Sequence, residues 1–539
     1  MARVRDQYPG RRPAVPADAR RGARVYPQGA AVVKILFIYP DYKVEIDPDT
    51  HAEIGVVKGG WYMEGIGSMT ALLRQHGHEV ALYHLTEPPA SDEEFVAEVQ
   101  RHDAALIGFV TMTREYPAVK HFAGLLQGKT GAKVISGSYH PTTVPDEVIE
   151  TPGIDMCCRG EGEMAILELV QKMDAGKDYS GVESIWVKDA DGTIHRNPVR
   201  PLIEDIDVLP IADFDIFDFS KLLGTQIKTG VVILSRGCPY SCTYCSNKKM
   251  RAIYPNQRCY SRFHSPEYSI EYLKKLKATY PEMEYLNFKD DILPWKDQWL
   301  EKFTSAYKKE IGLPFICNYR ANHVTPEIVR MLRDAGCYQM FFGVESGNDI
   351  IRNEVLNRKM RRDQIKTAFD ACREVGIKTV AYNMVGLPFE DKGTVLDTIK
   401  LNVEIRSDHA LAPIYYPYPD TELFEMAVVN GWVEAVYDYR EDKFVDQPTL
   451  PRDQLYFAQR YFRTFLGLYR GAEKLPLPVR EPVEKALDSI WLSPHLPHKA
   501  LVKLQDGRRA AAEKAKSTLR ERNPEIYLKL RDTVRGVRR

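Results

Sequence analysis

Cys238, Cys242 and Cys245 lie in the segment SRGCPYSCTYCSNKK with C-x3-C-x2-C spacing. Three thiolates on one short loop can face a single iron-sulfur cubane, because each iron needs a soft ligand. Three ligands instead of four leave one iron open. An open iron can chelate the amino and carboxylate groups of a methionine-type ligand, set its sulfonium beside the cluster and pass one electron to it. A closed zinc site asks for four ligands, usually as two Cys-x2-Cys pairs, and no matching pair lies nearby in the chain. Cys259, Cys317, Cys337 and Cys372 have no metal spacing and are assigned to the core. Cys157 and Cys158 are adjacent, and adjacent strand residues point to opposite faces, so they offer no second cluster.

The elements that must carry this loop come in two alternating series. From Lys34, short apolar runs (KILFIYP, EVALYHL, AALIGFVTM, AKVISGS) alternate with amphipathic stretches such as DEEFVAEVQRH and YPAVKHFAGLLQGK. That alternation predicts βαβ units and a doubly wound parallel sheet over residues 33–175. A connector over residues 176–224 holds a hairpin, SIWVKDADGTIHRNP, with an Asp-Gly turn. VVILSRG then opens a second series with strands EYLNFKDD, PFICNYR, QMFFGVES, IKTVAYNMVGLP and DHALAPIYYPYPD. Six βα repeats over residues 225–432 suit a partial TIM-like (β/α)6 barrel, whose chemistry sits at the C-terminal ends of its strands. The cysteine loop follows the first of these strands directly.

The flanks carry less information. Residues 1–32 form an expected disordered leader, with seven arginines and four prolines in its first 30 residues and little apolar periodicity. Residues 433–539 read as a helical C-terminal region, and its last stretch, 499–539, holds 13 Lys or Arg against five Asp or Glu. That stretch is assigned to a solvated helical face. The aromatic run from Tyr456 to Tyr469 is expected to close the barrel base, and His495 and His498 to lie at the surface.

Bulk composition narrows the partners. Across 539 residues, Lys plus Arg and Asp plus Glu both number 74, which gives no field to argue for nucleic acid. No apolar stretch approaches the roughly 20 residues that span a bilayer, and the N-terminus lacks the apolar core of a signal peptide. Nine cysteines, three of them packed into eight residues, suit a metal site in a reducing compartment, so a cytoplasmic location is expected.

The cysteine spacing, with Tyr244 at the aromatic position before the last Cys, resembles the radical S-adenosylmethionine superfamily over about residues 225–432. The resemblance implies a 4Fe-4S cluster on Cys238, Cys242 and Cys245, S-adenosylmethionine on the open iron, and Tyr244 packed on its adenine. The segment FKDD matches the end of the second strand, where the family binds the methionine amino group; the usual Gly-Gly-Glu is absent, so Asp290 and Asp291 are the candidates. Glu345 and Ser346, in FFGVESGN, match the segment at the ribose or methionine end. Gly386 and Pro388, in NMVGLPFE, match the backbone against adenine. Arg320, ending the third strand, could meet the methionine carboxylate by a bidentate bond. Outside the cysteines, a purely structural role is the alternative for each.

Upstream, GSYHPTTVPDEVI followed by IDMCCRGEGE is similar to the flavodoxin-like (Rossmann-type) N-terminal domain of cobalamin-dependent radical S-adenosylmethionine proteins. There, Gly-Gly-x-His-x-Thr precedes Arg-Gly-Glu-Gly-Glu. Doubly wound sheets bind ligands across the carboxyl ends of their strands, where strand order reverses. Gly108, Thr111, Thr113, Gly137, Ser138 and His140 lie on the segments that would line such a crevice, and the threonines and Ser138 could donate hydrogen bonds to cobalamin. A domain that binds nothing, or another ligand, is the alternative. Asp49, His51 and Gly55 read D-x-H-x3-G, one residue longer than the D-x-H-x2-G pattern that ligates cobalt from below, and His51 is not assigned.

Three functions follow. The first is a methyltransferase that abstracts hydrogen from an unactivated carbon of a small molecule with a 5'-deoxyadenosyl radical and delivers a methyl group through methylcobalamin. The second, resembling the anaerobic magnesium-protoporphyrin monomethyl ester cyclases, keeps the radical step and oxidises the carbon instead. The third is a cobalamin-binding regulator or electron carrier, against which the open iron argues. An enzyme of the first two kinds needs an electron donor such as flavodoxin or ferredoxin.

Overall fold

A computed structural model describes residues 32–46, 53–294, 297–419, 421–435, 443–523 and 526. The leader, apart from Val32, lies outside the described residues, as do Asp49 and His51.

The first sheet is built from β1 (Lys34–Pro40), β4 (Glu79–Leu85), β5 (Leu106–Val110), β6 (Lys133–Gly137), β7 (Met156–Cys158), β8 (Ile185–Lys188) and β9 (Ile194–His195). Between β1 and β4 the chain makes a separate antiparallel hairpin of β2 (Tyr42–Ile46) and β3 (Glu53–Lys58). Spatial order in the sheet is β4-β1-β5-β6-β7-β8-β9. All residues of β1 after Lys34 are buried, as a strand covered on both faces by crossover helices must be. From β1 the chain moves outward to β4, then returns to place β5 on the other flank of β1. Strand order therefore reverses between β1 and β5.

One boundary differs from expectation. The hairpin assigned to the connector is part of the sheet: β8 pairs antiparallel with β7 across Met156↔Val187 and Cys158↔Ile185. Left bare, β7 would present an unpaired row of backbone groups, and the hairpin removes that edge.

The second sheet has the order β10 (Thr229–Val232), β13 (Tyr285–Phe288), β14 (Phe315–Tyr319), β15 (Cys337–Glu345), β16 (Lys378–Asn383), β17 (His409–Leu411), all parallel. Helices Pro266–Thr279, Asp297–Glu310, Pro326–Ala335, Arg362–Glu374 and Lys392–Glu404 alternate with the strands. Ser265, Thr325 and Asp391 cap three of them by accepting from the amides of Tyr268, Ile328 and Thr394. Phe288 and Phe315 of the strands pack against Phe303 and Tyr307 of helix Asp297–Glu310, with Phe288 and Phe315 edge to face at 5.2 Å. Cys317, Cys337 and Cys372 belong to the same core. A short ladder, β11 (Ser235–Arg236) against β12 (Arg262–Phe263), closes the loop that carries the cluster cysteines.

Three expectations are corrected in the C-terminal region and its neighbours. Helix Arg452–Ala472 does not close the barrel base. Its Leu455, Phe457 and Phe465 pack with Val385, Val395 and Leu396, so it runs along helix Lys392–Glu404 and flanks the edge of the sheet at the mouth side of β16. His498 is buried, its ring 4.9 Å from that of Phe457, while His495 is exposed. Cys259 sits on a partly exposed 3-10 turn instead of the core. Among the described residues no helix is long and apolar enough to cross a membrane.

Candidate active site between the two sheets

The cysteine loop leaves the mouth of β10, with Cys242 buried and Cys238 and Cys245 partly exposed. Around it lies a cavity of about 370 Å³ lined by the three cysteines, Tyr244, Asp290, Asp291, Arg320, Glu345 and Arg358, among others. Five residues expected to bind S-adenosylmethionine therefore share one space with the cysteines. Two guanidinium groups face the Cys242 sulfur, Arg358 Nη1 at 3.7 Å and Arg320 Nη1 at 3.9 Å. Cationic donors of this kind suit a sulfur that carries negative charge, as a cluster thiolate does. Among the described residues no three His, Cys, Asp or Glu side chains converge tightly enough for a single metal ion.

Arg358 was invisible in the sequence, because it comes from an irregular segment after the turn Ile351–Val355. Its Nη1 donates to the Tyr244 hydroxyl at 2.9 Å, and that hydroxyl donates to Glu345 Oε1 at 3.1 Å. Burial pushes the Glu345 carboxyl up, and Arg358 opposes it. Glu345 itself has a φ of 66°, a left-handed backbone that stores strain where the side chain must turn inward. Gly343 makes room for this group: a Cβ there would lie 2.3 Å from Glu345 Oε1 and 2.8 Å from Arg358 Nη2. Arg320 stacks on the Tyr240 ring at 3.6 Å and donates to Asn322 Oδ1 at 2.7 Å, so it is held beside the cluster loop.

Asp290 and Asp291 have separated fates. Asp290 is fully buried, and its Oδ1 accepts from the Leu234 amide at 2.8 Å and the Ser235 hydroxyl at 2.5 Å. Burial pushes its carboxyl up to about 7. Asp291 accepts from Asn247 Nδ2 at 2.9 Å, and Asn247 also reaches toward Cys245 Sγ at 3.6 Å. Burial raises the Cys245 thiol to about 11. Ser346 and Gly386 do not line the cavity. Ser346 is fully buried, with its hydroxyl 3.4 Å from that of Thr398 and accepting from the Asn348 amide at 3.3 Å. Gly386 faces Leu455, which a Cβ would approach to 2.7 Å, and its amide donates to buried Glu390 at 2.8 Å.

A second cavity, also of about 370 Å³, lies between the sheets. Its lining includes Phe37 of β1, Gly108 of β5, Gly137 at the end of β6, Ser138 just after it and Cys158 of β7 on one side, and Ser235, Arg236, Lys289 and Asp291 on the other. It thus occupies the carboxyl ends of the strands on both sides of the reversal between β1 and β5, where a doubly wound sheet takes its ligand. Gly137 leaves this wall open, since the nearest atom to a Cβ there would be the Cys158 Cβ at 3.6 Å. Mostly small and apolar strand ends of this kind fit the flat, large face of a corrin. Ser138 holds a φ of 99°. Of the other expected cobalamin contacts, Thr111 is buried with its hydroxyl 2.7 Å from that of Ser136, and His140 is buried against Tyr116 with ring centroids 4.2 Å apart. Neither these two nor Thr113 lines the cavity. Each follows a lining residue by one to a few positions, and the helical turn at Tyr139–Thr143 swings His140 inward.

The Arg-Gly-Glu-Gly-Glu segment has a structural task that its sequence did not disclose. Glu163 Oε1 accepts from Arg236 Nη2 at 2.6 Å and from the Ser68 hydroxyl at 3.2 Å. Glu161 pairs with Arg262 through both oxygens and lies 3.5 Å from Arg236. Burial works against the Glu163 charge, yet Arg236 holds its carboxyl below the usual range. The Glu161 amide donates to the Tyr254 hydroxyl at 2.8 Å, an approach that Gly160 permits because a Cβ there would lie 2.5 Å from that oxygen. Both arginines belong to the ladder of β11 and β12, so the first domain grips the base of the cysteine loop. Glu64, which also lines the cavity, is pushed up to about 8 by burial, against the pull of Arg236.

Comparison with known proteins agrees with both halves of this geometry. Residues 232–401 match the model of the radical SAM superfamily, and residues 51–170 match that of the B12 binding domain. An uncharacterised methyltransferase of Pyrococcus horikoshii is 26% identical over 74% of this chain and 84% of its own length. The anaerobic magnesium-protoporphyrin IX monomethyl ester cyclase of Rubrivivax gelatinosus is 23% identical over 77% of this chain and 73% of its own. In structure, the cobalamin-dependent S-adenosylmethionine radical enzyme OxsB superposes with a TM-score of 0.63 at 14% identity, over 89% of this chain and 75% of its own. The radical S-adenosylmethionine methyltransferase TsrM of Kitasatospora setae gives 0.59 at 14% identity, over 75% and 76%. These last two likenesses speak for the fold.

Proposed function

With a B12 binding domain set against a radical SAM domain, this chain is a cobalamin-dependent radical SAM enzyme, and we propose that it transfers a methyl group to an unactivated carbon of a small molecule. The observation that carries this reading is the sharing of Lys289 and Asp291 between the cavity at the first sheet's strand ends and the cavity around the cysteines. A substrate placed there lies between both cofactors, enclosed by two domains that exclude water from a reactive carbon. When bound, the cluster supplies the electron that splits S-adenosylmethionine, and cobalamin supplies the carried methyl group.

The chain's own residues then have defined tasks. Cys238, Cys242 and Cys245 hold the cluster, with Arg320 and Arg358 directed at the Cys242 sulfur. Tyr244, Glu345 and Asp291 orient S-adenosylmethionine, with Asp291 the better placed of the two aspartates because Asp290 spends an oxygen on Leu234 and Ser235. Gly108, Gly137 and Ser138 present a close wall to the corrin. Nine thiols without a disulfide support a reducing, cytoplasmic setting, in which reduced flavodoxin or ferredoxin is the electron source.

Similarity to the cyclases supports a second reading, in which the carbon is oxidised and no methyl group moves. Incubation with a metabolite extract and S-adenosylmethionine deuterated at its methyl group separates the two. A product carrying the labelled methyl is expected; 5'-deoxyadenosine formed together with an unlabelled, oxidised product would give the second reading the field.

A further inference from the structure

Lys289 follows β13 directly, and its side chain lines both cavities. Every other cationic side chain that lines either of them is engaged. Arg236 and Arg262 pair with Glu163 and Glu161, and His264 with Asp207 at 2.8 Å. Arg320 donates to Asn322 and to the Arg358 carbonyl, and Arg358 to Tyr244 and the Gly343 carbonyl. Among the described residues Lys289 alone of this set has neither a hydrogen-bond nor an ion-pair partner through its ammonium group. Its side chain is exposed to the space between the two sheets, and the desolvation it meets there pulls its pKa below the usual lysine value.

An ammonium group without a direct partner, at the place where Asp291 also lines both cavities, is free to take up an anion. A methionine-type ligand bound at the cysteine loop would have its own carboxylate engaged on that side, by the cluster that Cys238, Cys242 and Cys245 would hold. What remains is the third molecule, whose reacting carbon must lie at this junction. We propose that Lys289 binds an acidic group of the substrate, a carboxylate or a phosphate, and so fixes the acceptor carbon between the two cofactors. This rests on the function proposed above and adds the class of substrate: a small anionic molecule with its acidic group close to the carbon that reacts.

Equilibrium dialysis of the chain loaded with cluster, cobalamin and S-adenosylmethionine, anaerobic and unreduced, tests the proposal with three probes of similar size: phenylphosphonate, phenylacetate and neutral phenylacetamide. At least one anion is expected to bind once per chain, about tenfold or more tighter than the amide, and the tighter anion tells phosphate from carboxylate. Lys289→Gln should weaken that binding about tenfold, while Lys289→Arg, which keeps the charge, should stay within about threefold. Equal binding of the amide, unchanged binding by Lys289→Gln, or no binding of either anion would overturn it. The same preparation is then reduced and assayed for S-adenosylmethionine cleavage. Loss of cleavage or of bound corrinoid in the wild type defeats the proposed function itself; cleavage without Lys289-dependent anion binding defeats the anionic substrate alone.

Discussion

Glu163 of the first domain and Arg236, two residues ahead of the first cluster cysteine, are joined at 2.6 Å. One carboxylate thereby links the domain that faces the corrin to the loop that faces the cluster. Arg262, across the ladder from Arg236, is held in the same way by Glu161. The relative placement of the two cofactor sites is therefore set by ion pairs that are mostly enclosed, and the contribution of such pairs shows when one partner is removed.

Glu163→Ala leaves Arg236 with Glu161, 3.5 Å away, and the more distant Glu64 as its nearby carboxylates. Removing one member of a buried pair costs roughly 3 kcal/mol. We expect a lower thermal midpoint and reduced corrinoid retention after gel filtration, and a double-mutant cycle with Arg236→Ala should be strongly non-additive. Additive losses would show that the pair does not couple the domains.

Replacing any of Cys238, Cys242 and Cys245 by alanine should bring iron and sulfide per chain close to background and abolish 5'-deoxyadenosine formation. Cys317→Ala is the control, since its sulfur is buried in the barrel core and lies 3.9 Å from that of Cys337. It should lose about 1–3 kcal/mol of stability through the cavity it opens, while its iron content stays normal.

Glu390 sets a pH dependence of stability. It accepts from the amides of Gly386 and Leu387, and burial pushes its carboxyl up to about 8. A folded pKa above the unfolded one means that its contribution is complete below about pH 4.5 and is lost as pH rises through about 8. The slope from one proton is at most about 1.4 kcal/mol per pH unit. Thermal midpoints of Glu390→Gln measured from pH 5.5 to 8.5 should fall less steeply than those of the wild type, and parallel curves would refute the assignment.

Ser138 adopts a φ of 99° where the family pattern has glycine. A side chain in that conformation costs about 1–2 kcal/mol. Ser138 lines the cavity with its hydroxyl donating to Met112 Sδ at 3.2 Å, so Ser138→Gly should stabilise the chain without corrinoid by about 1 kcal/mol and, by removing a lining side chain, weaken corrinoid binding severalfold. Stabilisation with unchanged corrinoid affinity would make the strain incidental.

Much of this was legible in the chain itself, for a physical reason. Strands buried on both faces must be continuous apolar runs, so KILFIYP and the barrel strands announce themselves, and a tripod of cysteines has to be local in sequence to reach one cluster. What escaped depends on the third dimension. Arg358 reaches Cys242 from 116 residues away, from a segment without periodicity. Glu161 and Glu163 were visible as a motif, but their partners, Arg262 and Arg236, stand on the other domain. His140 and Thr111 carry the right chemistry and face the wrong way, because side-chain direction at the end of a strand is decided by the turn that follows.

The hairpin that completes the first sheet also bears on how such proteins can be recombined. A chimera cut at residue 175, where the strand-and-helix pattern ends, would strip β8 and β9 from β7 and expose a raw edge inviting aggregation. Grafts that carry the hairpin across, and that match the two glutamates to arginines in the recipient barrel, respect the seam along which this molecule is joined.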